Sequence, residues 1–208
     1  SDVLFIRALA TVILQNTMVS GNKLNGLSVW DSATVTLVNS QVTNNGQDGI
    51  EAKDSAQVTL TADSRISSND VRGLLVLGSA RVILQDTTVS ANGTGLMVGG
   101  SATVNLKNAT VLGNDVGLVV GITARVTLSN KTTISRNYDG LRVLQKASMT
   151  LIDVQISFNR QDGLFVSDEA TTEIRDSVIE YNDRCGIYVL SNKAKVQGSP
   201  NEMRINGA

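Results

Sequence analysis

Asp139 and Asp162 each stand immediately before a glycine, Gly140 and Gly163, and are 23 residues apart. If the chain between them closes one turn of a stacked structure, their carboxyl groups come about 5 Å apart. That is the separation of the acid and the nucleophile in a retaining glycosidase. Asp48, before Gly49, repeats the position further away. An aspartate before a glycine is also ordinary turn chemistry, and no arginine or lysine constellation accompanies the pair along the chain. Asp115 and Asp183 read as residues of neighbouring corners, where carboxylate oxygens would suit calcium. No other cofactor is implied.

Composition narrows the chemistry further. The 208 residues contain no histidine, one cysteine (Cys185) and one proline (Pro200), with 3% aromatic and 18% charged residues. Without histidine the commonest general base is gone, and with it the histidine-dependent triads and the usual zinc and iron ligand sets. One thiol forms no intrachain disulfide, although an intermolecular one is open to it in an oxidising compartment. The 18 basic and 19 acidic residues leave a net charge of −1, which offers no field for nucleic acid or an anionic membrane. Apolar runs such as Gly73-Leu74-Leu75-Val76-Leu77 are too short for membrane insertion. The glycine-rich stretch from Gly93 to Gly100 lacks G-x-G-x-x-G spacing. The acidic residues between Asp153 and Asp183 alternate with Arg160, Arg175 and Arg184, as on a solvated face. Asn92, Asn108 and Asn130 open glycosylation sequons, which matter only in a glycosylating host.

What positions these residues is a repeat. Gly-Leu or Gly-Ile pairs begin at 26, 49, 73, 95, 117, 140, 163 and 186, with Val3-Leu4 one period earlier. This gives nine coils of about 23 residues. An alanine follows seven residues into each coil, from Ala10 to Ala170, and slips one place to Ala194 in the last. Within a coil the apolar residues alternate as in strands. Leu27 and Val29 share one side of the first segment, Ala33, Val35 and Leu37 of the second, and Val42 centres the third. Three short strands per coil, each feeding an inward column, describe a triangular solenoid. Nine coils at about 4.8 Å make a rod of roughly 43 Å. Asparagines precede each Gly-Leu or Gly-Ile pair, at 22, 45, 69, 92, 114, 137, 159 and 182. Their amides donate and accept, so stacked copies are expected to bond along the axis, and asparagine tolerates the left-handed backbone of a corner. Asn16, Asn39, Asp63, Asp86, Asn108, Asn130, Asp153 and Asp176 mark a second corner. One residue is added at that corner between Leu60 and Ile66 and again between Leu128 and Ile134.

The repeated G-[LI]-x-V, A-x-V-x-L and [VI]-[ST]-x-N segments resemble the right-handed parallel β-helix repeat proteins of the pectate-lyase-like superfamily. The resemblance covers essentially the whole chain. It implies an all-β, right-handed parallel β-helix, a single domain over residues 1–208. Both ends fall within the pattern, which reads as a piece of a longer solenoid. Enzymes in the resembling superfamily often act on acidic polysaccharides, so a polysaccharide lyase or glycoside hydrolase activity, with or without calcium, is one expectation.

The outward positions of the first strands carry another. Leu75, Leu77, Met97 and Val119 are expected to form an apolar patch across the fourth to sixth coils, extended by Leu144, Phe165, Tyr188 and Leu190. Such a patch suits a protein partner, self-association or a flanking segment, while Trp30, Phe165 and Tyr188 would also suit sugar stacking. Outward threonines of the second strands raise ice binding, but Arg81 and Arg125 break the array. The leading expectation is a non-catalytic structural or interaction module of a surface or secreted protein, extracellular in location. The alternative is a module that binds or degrades polysaccharide.

Overall fold

The computed structural model describes residues 4–199 and 201–207; Val3, expected to open the first coil, and Pro200 lie outside the described residues. Twenty-five strands wind into nine coils, and no helix occurs among the described residues. The fourth coil is representative, with strands Arg72–Val76, Arg81–Gln85 and Thr88–Ser90. First strands stack in parallel into a nine-stranded sheet, and second and third strands together form a 16-stranded sheet. The two sets join because Arg125–Ser135 and Ser148–Ser157 run unbroken through the second corner of the sixth and seventh coils. Three strands per coil therefore holds for seven coils and becomes two in these.

The inward columns stack like on like. Leu74, Leu96, Leu118 and Leu141 align in register and are fully buried, as are Leu84, Leu106 and Leu128 on the second strands. A narrow interior of leucine, valine and alanine admits few rings, which accounts for the low aromatic content. Parallel pairing satisfies the backbone, since each coil donates and accepts along the axis.

Each coil turns three corners, and in the first eight coils every turn uses a left-handed residue. At the second corner these are the polar residues expected from the sequence, from Asn16 at φ 49° to Asp176 at φ 50°. The two one-residue insertions fall there too, as Ala62 beside Asp63 and Asn130 beside Lys131, all four left-handed. The longer corner leaves the inward columns in step, with a register irregularity confined to Ser129–Thr132.

The third corner corrects one expectation. The left-handed residue is not the ladder asparagine but the one before it: Asn44, Ser68, Ala91, Gly113, Arg136, Phe158 and Tyr181. The asparagine itself turns inward and is buried, Asn114 and Asn137 being 3% and 0% exposed. There the Asn92 backbone N–H and its Nδ2 both donate to Asn114 Oδ1 at 3.0 Å, and Asn114 repeats the pair onto Asn137. The same pair of hydrogen bonds links every step from Asn22 to Asn206. Beside this ladder the glycine column brings successive backbones together. A Cβ on Gly117 would lie 2.5 Å from the Gly140 carbonyl oxygen, so the position needs glycine for close approach.

Asn114→Ala leaves the buried backbone N–H of Asn92 without its acceptor and its Nδ2 with only the Ser90 carbonyl, and is expected to cost about 2 kcal/mol. Gly117→Ala should cost about 1–3 kcal/mol through forced separation of two coils. Asn108→Gly, at an exposed left-handed corner, should change stability by no more than about 0.5 kcal/mol. Thermal melts followed by circular dichroism rank the three; equal losses would refute the inward placement of the ladder.

Candidate functional site

The first-strand sheet sets its outward side chains in two straight columns. The first runs Phe5, Ser28, Glu51, Leu75, Met97, Val119, Arg142, Phe165 and Tyr188, each in register with the next. The second holds Trp30, Lys53, Leu77, Gly99, Gly121, Leu144, Ser167 and Leu190 at the ends of the same strands. All nine residues expected to form the binding surface lie on this face. Their exposure differs from expectation at one point: Leu75 is only 7% exposed, enclosed in its column between Glu51 and Met97. Met97 is 36% exposed and Leu190 59% exposed, while Leu77, Val119, Leu144, Phe165, Tyr188 and Trp30 are half-buried.

The aromatic residues have near neighbours. Lys53 Nζ lies 5.1 Å from the Trp30 ring centroid, and Phe5 meets that ring edge-on at 4.6 Å. Trp30 Nε1 donates to Glu51 Oε2 at 2.9 Å, and Lys53 pairs with the other oxygen at 2.6 Å. The Arg184 guanidinium sits 4.7 Å from the Tyr188 centroid, with Phe165 tilted against it at 5.6 Å. A sugar stacking on the cation-bearing face of Trp30 or Tyr188 would have to displace that cation.

The carboxylates of the candidate catalytic pair are buried, Asp139 at 5% and Asp162 at 4% exposed, and each is held by an arginine. Arg142 bonds Asp139 from three residues along its own strand. Arg184 reaches back one coil and grips Asp162 in a fork, Nε to Oδ1 at 2.9 Å and Nη2 to Oδ2 at 2.7 Å. Asp48 receives the same fork from Arg72 at 2.8 and 3.2 Å. Desolvation opposes the charge on Arg184, but the hydrogen bond and charge of Asp162, with a smaller contribution from Cys185, outweigh it and raise the guanidinium pKa. The arginines missing from the linear sequence around these aspartates are thus supplied mainly by the coil stacking. The geometry gives each carboxylate a structural ion pair on the sheet margin.

Asp115 and Asp183 are exposed and 68 residues apart, which is three coils, or roughly 14 Å of axial rise. They are not at neighbouring corners, because Asn137 and Asn159 head the two corners between them. Among the described residues no group of three or more carboxylate, thiol or imidazole side chains gathers to hold a metal ion. Cys185 is free and half-buried. Of the three sequons, Asn92 is a buried rung of the ladder, whereas Asn108 and Asn130 are exposed corner residues. A shallow depression of about 540 Å³ on the second-strand face is lined by Arg81, Arg125, Thr103, Asn105 and their neighbours, with no carboxylate among them.

Two features lay outside the sequence reading. Phe158 and Tyr181, both left-handed, stack at 5.1 Å with their rings 6° from parallel, 51% and 40% exposed. The signal was available as the residue preceding each ladder asparagine. The first corner holds a second ladder, in which Asp31 accepts from the Ala8 N–H at 2.9 Å, Asp54 from Asp31 at 3.2 Å and Asp168 from Gln145 at 2.9 Å. Gln145 likewise accepts from the Ile122 N–H. In the fourth to sixth coils this corner holds Gly78, Gly100 and Ile122 instead, so the ladder lapses beside Met97 and Val119. Ile122 is a β-branched residue at φ 61° and is 50% exposed.

A solenoid of parallel coils with leucine-valine columns and an asparagine ladder defines a parallel β-helix, right-handed as parallel crossovers require. The family model described as "Right handed beta helix region" matches residues 4–130 and 61–202, and the chain belongs to that family. No curated protein and no solved structure matches it.

Arg184→Ala should destabilise the rod measurably, since it leaves the buried Asp162 carboxylate unpaired. Asp162→Asn, which keeps polar atoms in place, should cost less. Chemical denaturation of both variants tests the pairing; an Arg184→Ala variant as stable as the parent would contradict it.

Proposed function

We propose that this β-helix is a non-catalytic structural or interaction module of a surface or secreted protein, and that it presents its first-strand face to a protein partner. The observation that carries the reading is Ile122. A β-branched side chain in the left-handed region costs about 1–2 kcal/mol, and half-exposed Ile122 recovers little of it by burial. It stands at the edge of an uncharged strip made of Leu77, Gly78, Met97, Gly99, Gly100, Val119 and Gly121, where the acidic corner ladder lapses. The strip carries no charged side chain of its own, Arg72 reaching in from the margin to place its Nη1 3.4 Å from Met97 Sδ, and a flat apolar surface of this kind suits a protein contact better than water. The arginine forks on Asp48 and Asp162 and the bond from Arg142 to Asp139 support a structural role for these carboxylates.

Two measurements test the proposal. Ile122→Gly should raise stability by about 1 kcal/mol through relief of the corner, while removing apolar surface from the contact. A variant no more stable than the parent would remove the argument from strain. A glycan array with calcium present, followed by reducing-sugar assays on every hit, should find no depolymerisation. Turnover that Asp139→Asn abolishes would overturn the non-catalytic reading.

A further inference from the structure

We infer that the partner of the first-strand face is a second copy of this chain, with the two rods parallel about a two-fold axis that runs along them through the interface. This rests on the proposal that the face is a protein contact. Such an axis sets each coil against the same coil of the partner and exchanges the two outward columns. In every coil the two outward residues must therefore fit each other, and each contact is made twice.

The centre of the face meets that condition with apolar surface. Met97 stands opposite the partner's Gly99, and Val119 opposite the partner's Gly121. Gly99 is flanked on both sides, since a Cβ there would lie 3.1 Å from Leu77 Cδ2 and 3.6 Å from Ile122 Cδ1. Met97, 36% exposed, thus comes down on the partner's Leu77 and Ile122, and it buries the side chain whose exposure at φ 61° is otherwise uncompensated. Gly121 has room for Val119, because a Cβ there would approach only Gln145 Oε1, at 3.1 Å. In the eighth coil Phe165 faces Ser167, again large on small.

Charge follows the same rule. The charged residues of the two columns are Arg7, Glu51, Lys53 and Arg142, and none meets its own sign. Glu51 faces the partner's Lys53 and Lys53 the partner's Glu51, so the pair made within each copy at 2.6 Å becomes an alternating square, which fixes register more than it adds affinity. Arg7 faces Phe5, and Arg142, its guanidinium held by Asp139, lays its stem on Leu144. Arg72 reaches in beside Met97 and comes opposite the partner's glycine corner at Gly78 and Gly100, so that the two copies of Arg72 lie on opposite edges of the contact. Antiparallel rods would instead set Lys53 on Leu144 and Arg7 on Leu190, and would bring both copies of Arg72 beside a self-facing Met97.

Area points the same way. Nine strands of about five residues offer a face of roughly 700 Å² per copy. Two such faces bury roughly 1,400 Å², within the range of specific complexes, whereas the apolar centre alone is several-fold too small for one. The whole length of the face is needed, and a parallel second copy covers it coil by coil.

Cross-linking with a short bis-maleimide, which spans the roughly 10 Å between packed sheets, reads the arrangement directly. In a Cys185→Ser background, Phe5→Cys and Leu190→Cys place thiols in the first and ninth coils. Each variant should cross-link with its own copy, and a mixture of the two should add no link between them. Antiparallel rods would link only the mixture, because the end coils lie about 38 Å apart along the rod, and that result would overturn the inference. Sedimentation should give a dimer whose dissociation constant Met97→Asp raises at least about tenfold while the circular dichroism melt is retained. Such a dimer with no cross-link at either end would be staggered and would overturn the two-fold. A wild-type chain that stays monomeric at about 100 μM, weaker than specific complexes of this area, would overturn the second copy and leave the contact face to its own test on Ile122. A dimer untouched by Met97→Asp would use another surface and overturn both readings.

Discussion

Two successive coils of this rod stack at strand spacing only because the glycine column puts hydrogen where any other residue would put a carbon against the next coil's carbonyl. That close approach governs the rest of the molecule. It lets the ladder asparagines reach one another, so that each Oδ1 takes two donors from the preceding coil. With the third corner clamped in this way, added residues are tolerated at the second corner, where a second left-handed residue absorbs the extra length. The inward columns then stay in register through every coil, and burial of leucine on leucine follows from the alignment.

The same alignment decides what the outer surface does. Side chains one coil apart become neighbours, so function has to be read down columns rather than along the chain. Read that way, the three aspartates before glycines acquire arginines. Two of these come from the next coil in the fork geometry that best matches a carboxylate, and the third comes from the same strand. Acidic and basic groups that look scattered in sequence are mutually neutralised along the margin of the first-strand sheet. Where the corner carboxylates give way to glycine and isoleucine, the adjoining columns turn apolar in the same three coils. The coincidence of an unladdered corner, a strained exposed isoleucine and a flat strip marks that stretch as different from the rest of the rod.

The period of about 23 residues, the alternating inward positions and the asparagine ladder were all legible in the amino-acid sequence. Each is a stacking requirement repeated once per coil, and repetition exposes a constraint even when a single instance does not. Asn114 and Leu118 announce their roles because Asn137 and Leu141 repeat them. The absence of histidine likewise limited the available chemistry before any fold was known. Only the tertiary structure decided which corner residue is left-handed, that Leu75 is enclosed while Met97 is open, and that Arg184 holds Asp162. These facts depend on side-chain reach across the stack and on local backbone twist, which vary from coil to coil. A repeat fixes what all coils share, and the function proposed for this rod rests on the positions where they differ.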